Sequence, residues 1–266
     1  MKIIKNIIFT LSCIVISASC DLLESDETKV TALDSKVEFK IFESYETLNK
    51  VEEPKVYIEM KTEKIYGCFN FSILTEQSIS SNKIDIQILG IYKPGVCLTA
   101  LGPASRRIRL GSLSGVYEIT IRNNQFNDKY NLLITDSLII SDGKDTDNTK
   151  SLTSFLHRYP QNSFAYLFGS LDSLKYFREE FIDTLSTVIN IEEFFFSEFA
   201  SIPYLESSQG HQYDAPAKYF NYESEEDFNR IEGVMKSFIE KQSPENSSYS
   251  ISIINWKNQK IRSWLF

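Results

Sequence analysis

From residue 36 onward, hydrophobic and polar positions alternate with a period of two. Val37, Phe39 and Ile41 are separated by charged neighbours, and Val56, Ile58 and Met60 alternate with Tyr57, Glu59 and Lys61. Further runs follow over residues 65–74, 84–89, 108–110, 116–122 and 130–140, each rich in β-branched or aromatic side chains. Alternation puts every second side chain on one face, so each run reads as a half-buried strand. Turn residues separate the runs: Ser80-Ser81-Asn82, Lys93-Pro94-Gly95, Gly111 to Gly115, and Asn123-Asn124 to Asp128. No helical stripe interrupts this half.

After residue 150 the period changes. Leu174, Phe177, Phe181, Leu185 and Val188 fall at spacings of three and four, which predicts a helix with Asp172 as its N-cap. Phe228, Ile231, Met235 and Phe238 repeat the stripe behind a Ser224/Asp227 capping box, and Pro244 stops it. Residues 248–256 alternate as a strand, and 261–266 read as a closing strand. Residues 164–168, 191–196 and 218–222 are weaker strand candidates, and 191–200 is equally readable as helix. His157-Arg158-Tyr159-Pro160 reads as a helix end.

These patterns predict two domains. Residues 36–142 resemble an immunoglobulin-like β-sandwich in strand number and turn spacing, although the Cys spacing is short for that family and the region has no Trp. Residues 143–150 are polar and read as a linker. Residues 151–266, ordered strand–helix–strand–strand–helix–strand with an added strand, form an α+β domain compatible with a ferredoxin-like sandwich.

The first twenty residues carry an address. Lys2 and Lys5 precede an apolar stretch over residues 7–16, then Ser17, Ala18, Ser19 and Cys20. This is the layout of a secretory signal over residues 1–19. Ser17-Ala18-Ser19-Cys20 resembles the lipobox of bacterial lipoproteins, with Ser17 standing where that family prefers Leu. The resemblance implies that Cys20 is acylated with palmitate-class chains, becomes the mature N-terminus and anchors the protein in a bilayer. Residues 20–35, acidic at Asp21, Glu24, Asp26 and Glu27, then read as a lipidated tether. The localisation implied is the bacterial cell envelope, at the outer membrane.

Cysteine arithmetic follows from the export signal. With Cys13 in the leader and Cys20 lipidated, Cys68 and Cys97 remain as an even pair in an oxidising compartment, and a Cys68–Cys97 disulfide is expected, with two buried thiols as the alternative.

Composition narrows the partners. Among 266 residues, 36 are acidic and 28 basic, giving a net charge of −8; cleavage of the leader removes Lys2 and Lys5 and carries it to −10. An acidic body argues against nucleic acid. Two His and four Cys give little material for a metal site, and no metal or cofactor is expected. Asp142, Asp145 and Asp147 offer oxygen ligands, but the loop lacks an EF-hand pattern and reads as solvated. No phosphate loop, HExxH or GxSxG occurs.

The one cluster with catalytic residue types spans residues 206–214, where Ser, His and Asp lie close in sequence. Sequence proximity says nothing of triad geometry. We read Tyr204, His211, Tyr213 and Tyr219 as a recognition loop. The functional expectation is a non-catalytic, membrane-anchored lipoprotein that binds an envelope protein or glycan through its C-terminal domain. The alternatives are a hydrolase with its site in residues 200–220 and an accessory subunit of a surface assembly.

Overall fold

The computed structural model describes residues 29–266 except 48, 153 and 242–247. The leader, Cys20 and the first part of the expected tether lie outside the described residues. Among the described residues, strand accounts for 48% and helix for 14%, so strand pairing sets the architecture.

Eleven strands form one large curled sheet: β1 (Lys29–Thr31), β2 (Val37–Ser44), β3 (Lys55–Tyr66), β4 (Ser72–Ser80), β5 (Lys83–Lys93), β6 (Gly102–Gly111), β7 (Gly115–Arg122), β8 (Asn127–Ile134), β9 (Leu138–Asp142), β10 (Thr149–Ser151) and β11 (Phe155–His157). The spatial order is β10-β2-β3-β6-β4-β5-β7-β8-β9-β11, with β1 paired to β5. The expected period of two is realised: β2 and β8 alternate between deeper and shallower positions along their whole length. Inward residues from opposite walls meet in one cluster that includes Phe39, Ile58, Ile86, Ile121, Tyr130 and Leu132. Alternation alone cannot say whether such faces meet as two sheets or as one curled sheet. Here the strands expected to form two facing sheets are hydrogen-bonded into one, with parallel neighbours at β5/β7 and β10/β2.

The curl is held by the segment expected as a linker. Strand β10 pairs with β2 and, a few residues on, β11 pairs with β9, so one stretch of chain touches both edges of the sheet. Edge strands leave unpaired backbone groups, and this splice covers both. Its anchor is buried: the Thr149 hydroxyl donates to Asp128 Oδ2 at 2.7 Å and lies 2.7 Å from the Tyr130 hydroxyl, while the Thr146 hydroxyl donates to the same carboxylate at 2.6 Å. The first sheet therefore runs to His157, past the expected boundary. The expected tether is corrected in the same way. Lys29, Val30 and Thr31 pair with Lys93, Tyr92 and Ile91, and Leu33 is buried.

The second sheet comprises β12 (Ser163–Ser170), β13 (Ile191–Phe194), β14 (Tyr213–Asp214), β15 (Lys218–Tyr222), β16 (Tyr249–Asn255) and β17 (Lys260–Arg262), in the order β13-β15-β12-β16-β17, with β14 on β12. Every pairing is antiparallel. Helices α1 (Phe177–Ser186) and α2 (Glu225–Lys241) contribute Phe177, Phe181, Leu185, Phe228, Ile231, Met235 and Phe238 to the core beside the sheet. The capping box forms: the Asp227 N–H donates to the Ser224 hydroxyl, which donates to Asp227 Oδ2. Three expectations change. Asp172 begins a short 3-10 turn, and α1 starts five residues later without a side-chain cap. Val188 lies beyond the helix and is exposed, and Ile189 is buried in its place. His157 ends a strand, not a helix.

Residues 65–74, expected as one strand, are divided between β3 and β4. The break holds Cys68, which is disulfide-bonded to Cys97 across a Cα separation of 5.4 Å. The bond closes a loop 29 residues apart in sequence, and by the chain-entropy argument contributes roughly 3–4 kcal/mol. A Cys68→Ser/Cys97→Ser double variant should lose about that much stability in urea unfolding. Unchanged stability would show that the loop is equally constrained without the bond.

Candidate functional site

Two regions gather polar and aromatic chemistry: the seam between the sheets, and the surface built on residues 194–214.

At the seam, β2 carries Glu43 into the interior, where its side chain is 2% exposed. A buried carboxylate is costly unless hydrogen-bonded. Glu43 accepts from Arg158 Nε at 2.9 Å and from the Tyr159 N–H at 3.0 Å, and Arg158 Nη2 reaches the same carboxylate at 2.9 Å. Arg158 Nη1 donates to the Thr135 carbonyl at 2.6 Å. Tyr45 donates its hydroxyl to the Trp256 carbonyl at 2.9 Å and packs on Tyr159, whose ring meets Tyr204 edge-on. Burial pushes the Tyr159 hydroxyl up to about 12, with the hydrogen bond to Tyr45 acting the other way. Burial also raises Tyr45, reinforced by the neighbouring Tyr159. A cleft of about 560 Å³ opens beside this joint, lined by Glu43, Lys55, Asp136, Arg158, Gln161 and Trp256 among others. Arg158 is engaged with Glu43, and Lys55 with the Ser112 hydroxyl. The cleft therefore reads as the mouth of a joint.

The expected recognition loop is divided. Tyr204 and Tyr219 are buried and stacked on each other, with centroids 5.9 Å apart. The Tyr204 hydroxyl lies 2.8 Å from the Ser163 hydroxyl and donates to the Ser163 carbonyl at 3.0 Å. These two rings form a platform and present no face to solvent. Tyr213 is half-buried against Phe168. On the platform rest Phe194 and Phe196, which contact Tyr219 at 6.0 and 4.9 Å. Phe195, between them and just past the end of β13, turns outward and is 83% exposed. Phe199 is also exposed, and stands edge-on to exposed Phe155 at 6.0 Å. The His157 ring packs between Phe196 and Phe199, and its Nε2 lies 3.0 Å from both the carbonyl and the hydroxyl of Ser197, pinning the loop. Phe195 and Phe199 were missed because Phe reads as core. The available signal was the run Phe194-Phe195-Phe196, three consecutive bulky rings that one core face cannot all take.

The Ser–His–Asp cluster is partly assembled. His211 Nε2 lies 2.9 Å from the hydroxyl of Ser250, a residue from β16 and not from the sequence cluster. Asp214 Oδ2 accepts from the backbone N–H groups of Gly210 and His211 at 3.2 and 3.4 Å. The carboxylate thus holds the turn, whereas a triad requires it on the imidazole. The ring lies over Gly169, where a Cβ would overlap the imidazole and sit 2.9 Å from Asp214 Oδ1. Among the described residues, no group of three His, Cys, Asp or Glu side chains could hold a metal ion, and no helix is long and apolar enough to cross a membrane.

No family model matches the chain, and neither a curated protein nor a solved structure does.

Two variants test these constructions. Glu43→Ala strands the Arg158 guanidinium at the joint and should cost about 2–4 kcal/mol of stability, reduced from the fully buried case because Arg158 is partly exposed. Its denaturation midpoint should fall well below that of Glu38→Ala, whose side chain is 31% exposed. Gly169→Ala should displace His211 and cost about 1–3 kcal/mol through overpacking. An unchanged midpoint and unchanged His211 ring resonances would show that the ring does not rest on β12.

Proposed function

We propose that this chain is a membrane-anchored lipoprotein of the bacterial envelope, exported by residues 1–19 and acylated at Cys20. Its C-terminal part is a ferredoxin-like domain that recognises a partner protein. The curled sheet is a spacer between the bilayer and that domain.

The observation that carries the reading is the polarity of β3. Its first residues, Lys55 and Val56, lie at the cleft beside Glu43 and Arg158, where the second sheet is joined. Its last residue, Tyr66, pairs with Gly102 beside the disulfide turn. Strand β1 leaves the sheet at that same far end, because Lys29 pairs with Lys93, the last residue of β5. The N-terminal exit and the second sheet are thus separated by the 12 residues of β3, roughly 36–40 Å at about 3.3 Å per residue. A spacer with its tether at one end and a binding unit at the other needs this arrangement. Phe195 and Phe199, exposed on a pinned loop of the far unit, suit a protein partner, since aromatic anchors dominate protein interfaces. The enzyme alternative is less supported, because Asp214 serves the backbone of its turn and not the His211 ring.

The test has two arms. Metabolic labelling with a fatty-acid probe should mark the wild-type chain and leave Cys20→Ser unmarked. A photo-crosslinking residue at position 195, in the wild-type chain in its native envelope, should give a discrete adduct that the same residue at exposed Val116 does not. Absence of label overturns the anchor. Adducts independent of position overturn the assignment of the binding surface.

A further inference from the structure

The end of the curled sheet from which the chain's N-terminus emerges carries a compact apolar tip. Ile65 is the penultimate residue of β3, Phe69 lies in the turn after the disulfide-bonded Cys68, and Val96, Leu98 and Leu101 lie in the segment between β5 and β6; all five are exposed, Val96 and Leu101 to about three quarters (75% and 74%). They belong to one structure. The Cys68–Cys97 bond ties the two segments together. Asn70 donates from Nδ2 to the Val96 carbonyl at 2.7 Å and accepts the Leu98 N–H through Oδ1 at 3.4 Å. Phe69 lies so close to Gly102 that a Cβ there would stand 2.9 Å from the Phe69 Cβ. The apolar residues are therefore held outward by crosslinks, on a support that hides little of them. Exposed clusters of this kind mark protein or membrane contacts.

The chain path decides between these. Cys20 is nine residues before Lys29, so even fully extended chain spans only about 30–32 Å between them. Lys29 is paired with Lys93, one residue before the segment that carries Val96. An acyl anchor at Cys20 therefore holds the end of the sheet that carries this tip within one short tether of the bilayer surface. Around the apolar residues stand an exposed lysine, Lys93, a Lys64–Asp34 ion pair, and Tyr66 packed on Phe71. Tyrosine and lysine beside an apolar projection are the residues that favour the headgroup layer.

We infer that the tip formed by Ile65, Phe69, Val96, Leu98 and Leu101 inserts into the headgroup region of the bilayer that holds the Cys20 anchor, standing the curled sheet upright on the membrane. The inference rests on the lipoprotein reading. It adds a second membrane contact and a fixed orientation.

The test uses the full-length acylated chain in vesicles of phosphatidylethanolamine and phosphatidylglycerol. An environment-sensitive fluorescent amino acid is placed at Val96 or Leu101, and for comparison at Phe195. With bromine on the lipid tails, emission at positions 96 and 101 should shift to the blue and be quenched, and emission at 195 should do neither. In the unacylated Cys20→Ser chain, Val96→Asp with Leu101→Asp should lower residual vesicle partition by about tenfold or more, with the folded spectrum unchanged. If the acylated chain floats with its vesicles but positions 96 and 101 remain open to aqueous iodide, the anchor stands and the tip contact is refuted. If those positions are shielded from both iodide and brominated lipid, a protein covers the tip and the inference is likewise refuted. If the chain carries no acyl group and does not float, the lipoprotein reading falls and takes the inference with it.

Discussion

The arrangement of this protein depends on one buried carboxylate. Glu43 sits at the end of β2, where the curled sheet meets the second, and its charge is satisfied by Arg158 and the Tyr159 N–H. All three groups must be present together, because an ionised carboxylate without them would be too costly to bury. Arg158 and Tyr159 lie between the last strand of the first sheet and the first strand of the second, so the bond fixes how the chain leaves one and enters the other. Tyr45, Tyr159 and Tyr204 extend it as a column of rings, and the Asn258 side-chain N–H donating to the Lys50 carbonyl adds a polar clasp on the other side. A joint with this many directed contacts fixes how the second sheet is set against the first.

The same economy of position explains the surface. Phe194 and Phe196 are held down by Tyr204 and Tyr219, and the residue between them has nowhere to go but out. At the opposite end, the disulfide and the Asn70 clasp raise Val96, Leu98 and Leu101 above the strand ends. Both apolar features are consequences of rigid supports.

Much of this was legible along the chain because it depends on near neighbours. Alternation revealed most strands of the curled sheet; spacing of three and four revealed both helical faces; Ser224 and Asp227 announced the start of α2, since a cap is a contact across three residues. The order of elements in the second half was readable for the same reason, and the even cysteine pair announced its bond by arithmetic.

Contacts distant in sequence were decided only in three dimensions. Thr149 looks like linker until Asp128 and Tyr130 are brought to it. Tyr204 and Tyr219 have the composition of a recognition loop and are core, while Phe195, from the most core-like residue type, is the most exposed large side chain at the candidate site. His211 finds its hydroxyl on Ser250, 39 residues away, and not on the serines beside it. A strand's period fixes which residues share a face but not which face turns to solvent, nor whether sheets close as a pair or a curl. Sequence therefore determined most of the elements and the disulfide, through local periodicity and local chemistry. Tertiary structure alone decided the closure of the sheet, the burial of Glu43 and the direction each aromatic faces, because each depends on which distant groups arrive to satisfy or cover it.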